Sequence, residues 1–510
     1  MKQNEAEFST IRSFLWPIHG HELKKFLPML LLFFLISFNY HLLRIAKDAL
    51  IITAPDSGAE TIPFLKVWAV LPAAIIITLF YTRLANHFRR ENIFYVMIGF
   101  FLTFFVLFIF VLYPHQQQLN LDNFANYLQN WLPKGCNGLI LIIRYWVFTL
   151  FYVMSESWSN IMVSLLLWGF ANDVITVTES KRFYALFGLG TNSSGILAGK
   201  VGLYFSGVSA SSNNLNSWDY TLNLFIISVL ICGLTSIFLY RWLQVNVFKN
   251  HYQAQNPTIE DIANKKDKAT LCNSLSYIKN SPYLLSIAII VLAYNLTINL
   301  TEVLWKSQIK ELYPNSNEYS AFMSQVTFYV GIIATLTAYF ISGNVIRRLG
   351  WKFSAMITPA IFAFTGLGFF YFLFFKKIAS GPTSMTILGM TPLALTVLFG
   401  TLQNCLSRAA KYTVFDDTKE MALIPLSSEA RFKGKAAIDG IGSRLGKSGG
   451  SILLQGLLMI FSTPAACAPY IAAIISGTLF IWGSGISFLS NAFEQFSRKI
   501  PAEEPEEKAS

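Results

Sequence analysis

Three pairs of basic residues stand three positions apart within apolar stretches of this 510-residue sequence. The pairs are Arg44 with Lys47, Arg408 with Lys411, and Arg444 with Lys447. Residues three apart on a helix share one face, so each pair points two positive charges in one direction. Such charges exceed what nearby acids need as partners, and the surplus favours an anion. A polyphosphate fits this surplus better than an anion of lower charge, such as a sugar phosphate.

Further ionisable residues lie in the same apolar stretches. Glu156 and Glu302 each have long apolar flanks, which favours a role inside a cavity over a structural one. An ionisable group at membrane depth costs at least roughly 2.5–3.5 kcal/mol, so it normally faces water or a partner. Further candidates among the charged residues in these stretches are Asp48, Lys66, Arg144, Lys306 and Asp439.

Simpler interpretations remain open for part of this set. Arg44, Lys47 and Asp48 are equally compatible with an ion pair at a helix end near the membrane surface. For Lys306 and Lys310, we predict side chains that extend to the outer surface instead of binding a substrate, because a long aliphatic stem lets an ammonium reach water.

Other chemistries lack their motifs. The segment from Arg444 to Ser451 resembles a phosphate-binding loop, but Ile441 stands where that motif requires glycine, and a preceding strand is missing from the apolar helical pattern. The five cysteines form no CxxC pair, and His19-Gly-His21-Glu22 is not a metalloprotease motif. We therefore predict no metal, no cofactor and no catalytic residue.

The elements that position these charges are predicted to be membrane helices. Hydrophobic residues make up 54% of the chain and charged residues 13%, whereas a soluble domain has about 25% charged residues. Since about 20 apolar residues cross a bilayer, we predict twelve membrane segments. They span 27–53, 63–86, 93–113, 138–171, 183–206, 220–245, 283–306, 319–346, 353–375, 385–415, 435–462 and 466–493.

The connections between segments predict the orientation and the division of the chain. Basic connections alternate with connections poor in Lys and Arg, which predicts that both termini are cytoplasmic. The basic turns at 82–91 and 343–352 occupy equivalent places in two groups of six segments. The predicted parts are an N-terminal cytoplasmic segment (1–26), a six-helix bundle (27–245), a cytoplasmic linker (246–282), a second six-helix bundle (283–493) and an acidic cytoplasmic tail (494–510).

The predicted fold class is therefore an all-α polytopic membrane protein with a major-facilitator-like 6+6 repeat. In that architecture, segments 1, 4, 7 and 10 line a central cavity and segments 2, 5, 8 and 11 flank it. The charges singled out above all fall on these eight segments. This distribution indicates a transporter that works by alternating access. A channel, a membrane enzyme or a receptor receives less support from it.

Several distinctive segments resemble one known family. They include GAETIPFLKVW (58–68), LFYVMSESW (150–158), NLTEVLWKSQIK (299–310) and GKAAIDGIGSRLGKSGG (434–450). The chain resembles the ATP/ADP translocases of plastids and of obligate intracellular bacteria, such as chlamydiae and rickettsiae. The resemblance runs from about Ser13 to about Ala492, which is nearly the whole chain.

The resemblance implies a nucleotide transporter that exchanges ATP for ADP and is not an enzyme. Four charged positions important in that family correspond here to Lys66, Glu156, Glu302 and Lys447. We expect Lys66 and Lys447 to contact phosphates and the two glutamates to pair with bases in the empty site. Arg44 and Lys47 would add positive potential, and the candidates for coupling or gating are Asp48, Arg144, Arg408, Lys411, Asp439 and Arg444.

The implied setting is the inner membrane of a bacterium, in contact with lipid and without nucleic acid. We expect a monomer, with protons or phosphate as candidate co-substrates. One departure keeps an alternative open: residues 39–48 read NYHLLRIAKD, whereas the family commonly has NYTILRDTKD. Ile45 and Ala46 replace a polar pair, so a proton-coupled importer of UTP, GTP, another nucleotide or NAD is the alternative.

Overall fold

The computed structural model describes residues 16–88, 90–211, 217–248, 281–340, 342–378, 389–426, 438 and 443–499. The regular elements in these ranges are helices, as expected for apolar segments whose backbone groups must be satisfied within each segment. Twelve long helices, α1 to α12, correspond in order to the twelve predicted segments, with boundaries that differ by several residues.

The first six helices come before residue 249. Their bounds are Leu23–Ile52 (α1); Thr61–Phe64, Leu65–Val70 and Leu71–His87 (α2); Arg90–Leu107 and Phe108–Leu112 (α3); Asn137–Arg144, Trp146–Trp158, Ser159–Leu167 and Trp168–Val174 (α4); Val177–Ser211 (α5); and Ser217–Asn246 (α6). The segments Leu65–Val70, Phe108–Leu112 and Ser159–Leu167 are π-helical. A shorter helix, Asp122–Trp131, lies between α3 and α4.

The last six helices follow residue 280. Their bounds are Pro282–Leu312 (α7); Ser316–Phe340 (α8); Ser342–Ile378 (α9); Pro392–Ala410, Lys411–Phe415 and Asp416–Leu423 (α10); Ser443–Phe461 (α11); and Pro464–Lys499 (α12). Lys411–Phe415 is π-helical. α9 bends at Gly350, whose φ of 78° lies in the left-handed region that glycine adopts without strain.

Nine helices in the described part of the chain are long and apolar enough to cross a membrane. α5 and α10 do not meet that criterion because polar residues interrupt them, such as the Thr191–Ser194 run in α5 and Arg408 in α10, and α11 is represented by a shorter apolar helix, Ser448–Phe461. The prediction of twelve membrane-crossing helices and of cytoplasmic termini therefore stays a prediction. Most of the predicted linker (246–282) and of the acidic tail lies outside the described residues.

The two groups of helices meet closely where α5 packs against α8. A Cβ atom on Gly199 would lie 2.5 Å from the backbone nitrogen of Phe328. A Cβ atom on Gly331 would lie 2.7 Å from the backbone nitrogen of Ile196. Only glycine permits such an approach of two backbones. Nearer the start of α5, α1 packs on this helix through the stacked rings of Phe33 and Phe187, whose centroids are 4.5 Å apart.

Candidate functional site

A single carboxylate, Glu302 of α7, holds cations from three helices. Its Oε1 atom lies 3.4 Å from Nη2 of Arg44 in α1, 3.4 Å from Nη2 of Arg408 in α10, and 3.1 Å from Nζ of Lys306 one helical turn further along α7. The Glu302 side chain keeps 15% of its surface exposed. Both groups of helices thus contribute to this contact, since α1 belongs to the first six and α7 and α10 to the last six.

Lys306 has a second carboxylate partner. Its ammonium lies 2.8 Å from Oδ2 of Asp48 in α1, and the two side chains are 4% and 0% exposed. The prediction that Lys306 extends to the outer surface is therefore wrong. A paired charge is far less costly inside a protein than an unpaired one, and Asp48 together with Glu302 supplies the pairing. Lys310, one turn further on, donates to the backbone oxygen of Ser57 in the α1–α2 turn.

Glu156 of α4 accepts a hydrogen bond from the ammonium of Lys47 in α1. The same ammonium lies 4.0 Å from the ring centroid of Tyr152, which provides a cation–π contact. Glu156 remains 37% exposed, so it combines an ion pair with access to open space. Its helix changes to π geometry three residues later, at Ser159. Such local departures from the α-helix are frequent at functional sites.

Lys66 lies in the π-helical segment of α2. Its ammonium donates to Oδ1 of Asn299 at 2.5 Å, and the Asn299 amide donates to Oγ of Ser451 at 2.9 Å. These bonds connect α2 with α7 and α11. Asn299 precedes Glu302 by three positions, so the two side chains lie on neighbouring parts of one face of α7. Lys66 is also within electrostatic range of Glu302 and Glu156.

These residues form one group, called here the central charge cluster. Its members are Arg44, Lys47, Asp48, Lys66, Glu156, Glu302, Lys306 and Arg408. Within the part of the chain that the structure describes, five cations face three carboxylates in this cluster, which leaves a surplus of two positive charges. An anion of at least two negative charges would neutralise the cluster, and hydrogen bonds between ionised groups are stronger than neutral ones.

Two predicted residues lie apart from the cluster. Arg144 donates to Oδ1 of Asn126 at 2.6 Å and lies 3.7 Å from Oδ1 of Asp122, both in the short helix between α3 and α4. Lys411 pairs with Asp416 at 3.0 Å within α10. The structure thus does not bring either cation to the shared carboxylate.

Three of the predicted site residues lie in the first half of the predicted segment 435–462, where the structure describes few side chains. Asp439 lies outside the described residues. Arg444 and Lys447 belong to the helix Ser443–Phe461, but their side chains are outside the described part of the chain.

Sequence reasoning missed Asn299 and Tyr152. Both are uncharged, so a search for charges at membrane depth passes over them. A usable signal existed for Asn299, because a polar amide one helical turn before a cavity glutamate shares its face. Tyr152 precedes Glu156 by four positions, which is the same kind of signal.

A polytopic helical bundle with a charged, partly exposed cluster between two groups of helices defines a membrane transporter. The chain belongs to the TLC ATP/ADP transporter family, whose model matches residues 1–493. It is 45% identical to "ADP,ATP carrier protein 1" of Chlamydia pneumoniae, over 96% of each chain. It is 40% identical to "ADP,ATP carrier protein 2, chloroplastic" of Arabidopsis thaliana, over 96% of this chain and 78% of the plant protein. These findings confirm the predicted family.

Solved structures share the fold at low sequence identity. A bacterial homologue of the iron transporter ferroportin, in an inward-facing state, matches with a TM-score of 0.55 and 13% identity, covering 93% of this chain and 99% of that one. A D-xylose–proton symporter matches with a TM-score of 0.52 and 12% identity, covering 94% and 98%. The predicted all-α, major-facilitator-like polytopic fold class is thereby confirmed.

Proposed function

We propose that this protein exchanges ATP for ADP across a bacterial inner membrane by alternating access, with the phosphates bound at the central charge cluster. Family membership and the carrier names of its relatives support the substrate class. The single observation that carries the choice of site is the surplus of two cations in a cluster shared by both groups of helices.

Substrate competes with internal ion pairs in this proposal. Glu302 alone cannot satisfy Arg44, Arg408 and Lys306 fully, because one oxygen accepts from all three cations at 3.1–3.4 Å. A phosphate group offers these cations more acceptor oxygens than one carboxylate does. Arg44 and Arg408 would turn from Glu302 to the phosphates, and Lys66 would exchange Asn299 for the same ligand.

This competition couples binding to movement of the two groups of helices. The Arg44–Glu302 contact joins α1 to α7, so releasing it weakens a connection between the groups. Binding energy gained from the phosphates would offset the lost ion pair, and a ligand shifts a conformational equilibrium only by such a difference in affinity between states. Release of the phosphates would restore the internal pair.

Contacts at the predicted outer end support a state closed on that side. Lys306 pairs with Asp48 there, and Oγ1 of Thr53 lies 2.7 Å from Oγ of Ser316 in α8. Among the described residues at the predicted cytoplasmic end, Arg182 pairs with Glu22 at 2.6 Å and Lys25 with Glu179 at 2.8 Å, both within the first half of the chain. We infer that the protein is closed at the predicted outer end.

Lys447 would be a further phosphate contact, supported by the resemblance and by its position on α11 beside α7. Asp439 and Arg444 are proposed as gating residues because they are charged residues inside the predicted membrane segment 435–462. We also propose that the protein acts as a monomer.

Counter-exchange in proteoliposomes tests the function. Vesicles loaded with ADP, with each other ribonucleotide or with NAD would receive labelled ATP, with and without a proton gradient. We expect saturable ATP uptake that requires internal ADP and is unaffected by an uncoupler. Uptake that needs a proton gradient and no internal nucleotide would replace exchange by the proton-coupled alternative. Uptake of none of these compounds would overturn the proposal.

A further inference from the structure

Lys200 is a cation on the exposed side of α5, far from both ends of that helix. It is exposed, and its ammonium lies 4.9 Å from the ring centroid of Phe328 in α8. The residues that share its side of α5 are also exposed, including Leu197 and Tyr204, the latter at 68%. Among the described residues, the surroundings of Lys200 are therefore an aromatic ring and exposed apolar side chains.

The opposite side of α5 faces the protein. Ser194 and Ala198 are buried, and a Cβ atom on Gly195 would lie 3.2 Å from the ring of His41 in α1. At 100° per residue, Lys200 is turned about 140° from Gly195 around the helix. Lys200 therefore points away from the side of α5 that packs on α1 and lies on the exposed side, beside the groove between α5 and α8.

The depth of Lys200 is unusual for a charge on such a surface. Its neighbour Phe328 is near the middle of the apolar span Ser316–Tyr339. The predicted membrane segment 183–206 ends six residues beyond Lys200, or about 9 Å at the α-helical rise of 1.5 Å per residue, and the aliphatic stem of a lysine can carry its ammonium part of that distance toward the headgroups. Ionisable residues at this depth are rare and by default indicate a functional site with a partner of opposite charge.

Polar groups continue from Lys200 toward the predicted outer surface. Tyr204 is one turn further along α5, and Gln325 is one turn from Phe328 in the same direction along α8. Nε2 of Gln325 lies 3.5 Å from the hydroxyl of Tyr329, which is exposed on the same side of α8. These groups offer hydrogen-bond donors along a groove that otherwise exposes apolar surface.

We propose that the groove between α5 and α8 binds a phospholipid of the predicted outer leaflet, with Lys200 as the cation that attracts its phosphate. Acyl chains would cover Leu197 and the exposed ring of Tyr204, and the headgroup would be drawn toward the Tyr204 and Gln325 donors. Basic sites between membrane helices bind anionic headgroups in this way. Because α5 and α8 belong to different groups of helices, the lipid would touch both and bias their relative movement.

Lipid retention tests the site without reference to transport. The full-length protein and its Lys200→Gln and Lys200→Arg variants would be incubated with phosphatidylglycerol in detergent, and the retained lipid counted by native mass spectrometry. We expect Lys200→Gln to retain about fivefold less phosphatidylglycerol than the wild type, as estimated for loss of one lysine–lipid attraction. Lys200→Arg should retain the wild-type amount. Lys24→Gln, which removes an exposed lysine at the other end of the protein, is the matched control and should also bind normally.

A second measurement uses the unaltered protein, so misfolding of a variant cannot hide the answer. Hydrogen exchange of peptides covering 197–204 would be compared in nanodiscs of phosphatidylcholine alone and with phosphatidylglycerol added. We expect slower exchange with the anionic lipid. Equal lipid retention by the wild type and Lys200→Gln, or identical hydrogen exchange in the two nanodiscs, would overturn the lipid site and leave the proposed nucleotide exchange untouched.

Discussion

Two carboxylates at the contact between α1 and α7, Glu302 and Asp48, pair with the same lysine, Lys306, but in different environments. Glu302 is partly exposed and shares one oxygen among Lys306, Arg44 and Arg408. Asp48 is fully buried and bonds Lys306 at 2.8 Å. The first site is open to a competing anion, whereas the second is shielded from one. Neighbouring charges on one pair of helices can thus serve ligand exchange and mechanical closure separately.

The largest effect is expected for Glu302→Gln. It removes the shared carboxylate with little change of volume and leaves its cations without that counter-charge. We expect the exchange rate to fall at least about 100-fold, equivalent to about 2.7 kcal/mol in the activation free energy, because a bound phosphate would no longer be displaced by an internal partner. Initial-rate counter-exchange measures the loss. Binding of labelled ATP should persist or tighten, and a rate within threefold of wild type would contradict the shared-carboxylate model.

The second test concerns Lys66, whose neutral partner Asn299 makes it the most readily released cation of the cluster. Lys66→Met keeps the aliphatic stem and removes the charge. We expect KM for ATP to rise about 30-fold, in line with a charged hydrogen bond worth about 2 kcal/mol. Lys66→Arg should recover part of the loss, and Lys24→Met is the control for removing an exposed lysine. A KM unchanged in Lys66→Met would remove this residue from the phosphate contacts.

Asp48→Asn tests the buried pair. It leaves Lys306 with Glu302 as a carboxylate partner and weakens the closure between α1 and α7. We expect exchange to slow about tenfold, since breaking a buried ion pair shifts the balance of states by more than 1 kcal/mol. Labelling of a cysteine placed at Ser316 by a membrane-impermeant reagent should become faster.

The matched variant for this test replaces both partners, Asp48→Leu with Lys306→Met. Exchanging a buried pair for apolar residues of similar size is far less destabilising than removing one partner. We therefore expect the double variant to be more stable to heat than Asp48→Asn. Greater stability of the single variant would show that Asp48 and Lys306 do not act as a pair.

The smallest effect is expected at Arg144. This cation is predicted from the sequence to belong with the cavity charges, yet its carboxylate partner, Asp122, is 55% exposed. Ion pairs of this kind contribute little, so Arg144→Gln should leave the exchange rate within about twofold of the wild type. A loss comparable to that of Lys66→Met would mean that the outer surface also contributes to substrate recognition.

Composition and charge placement were sufficient to predict the fold class and the helices that carry the cluster. Apolar length predicts helices from local sequence alone, and burial cost singles out charges such as Glu302. Pairing is different: Asp48 and Lys306 are 258 positions apart, so no local pattern identifies them as partners. The wrong prediction for Lys306 follows from this, because a lysine without a known partner is expected to extend to water.

For Lys200, the position in the segment could be read from the sequence, but the direction of the side chain could not. Its position inside the predicted segment 183–206 was visible in the sequence, and the same burial argument applied to it. What the sequence could not provide was the direction of the side chain, because α5 has polar residues such as Asn192 and Ser194 on other sides. Contacts with α1 and α8 were needed to identify the exposed side of the helix.

The close approach of Gly199 to Phe328 also determines how far each end of α5 can travel. A backbone-to-backbone contact resists sliding and acts as a fulcrum. The helix begins 22 residues before Gly199 and ends 12 residues after it, which gives lever arms of about 33 Å and 18 Å. A swing of about 10° would displace the two tips by about 6 Å and 3 Å. The opening at the predicted cytoplasmic end would then be about twice as wide as the opening at the other end.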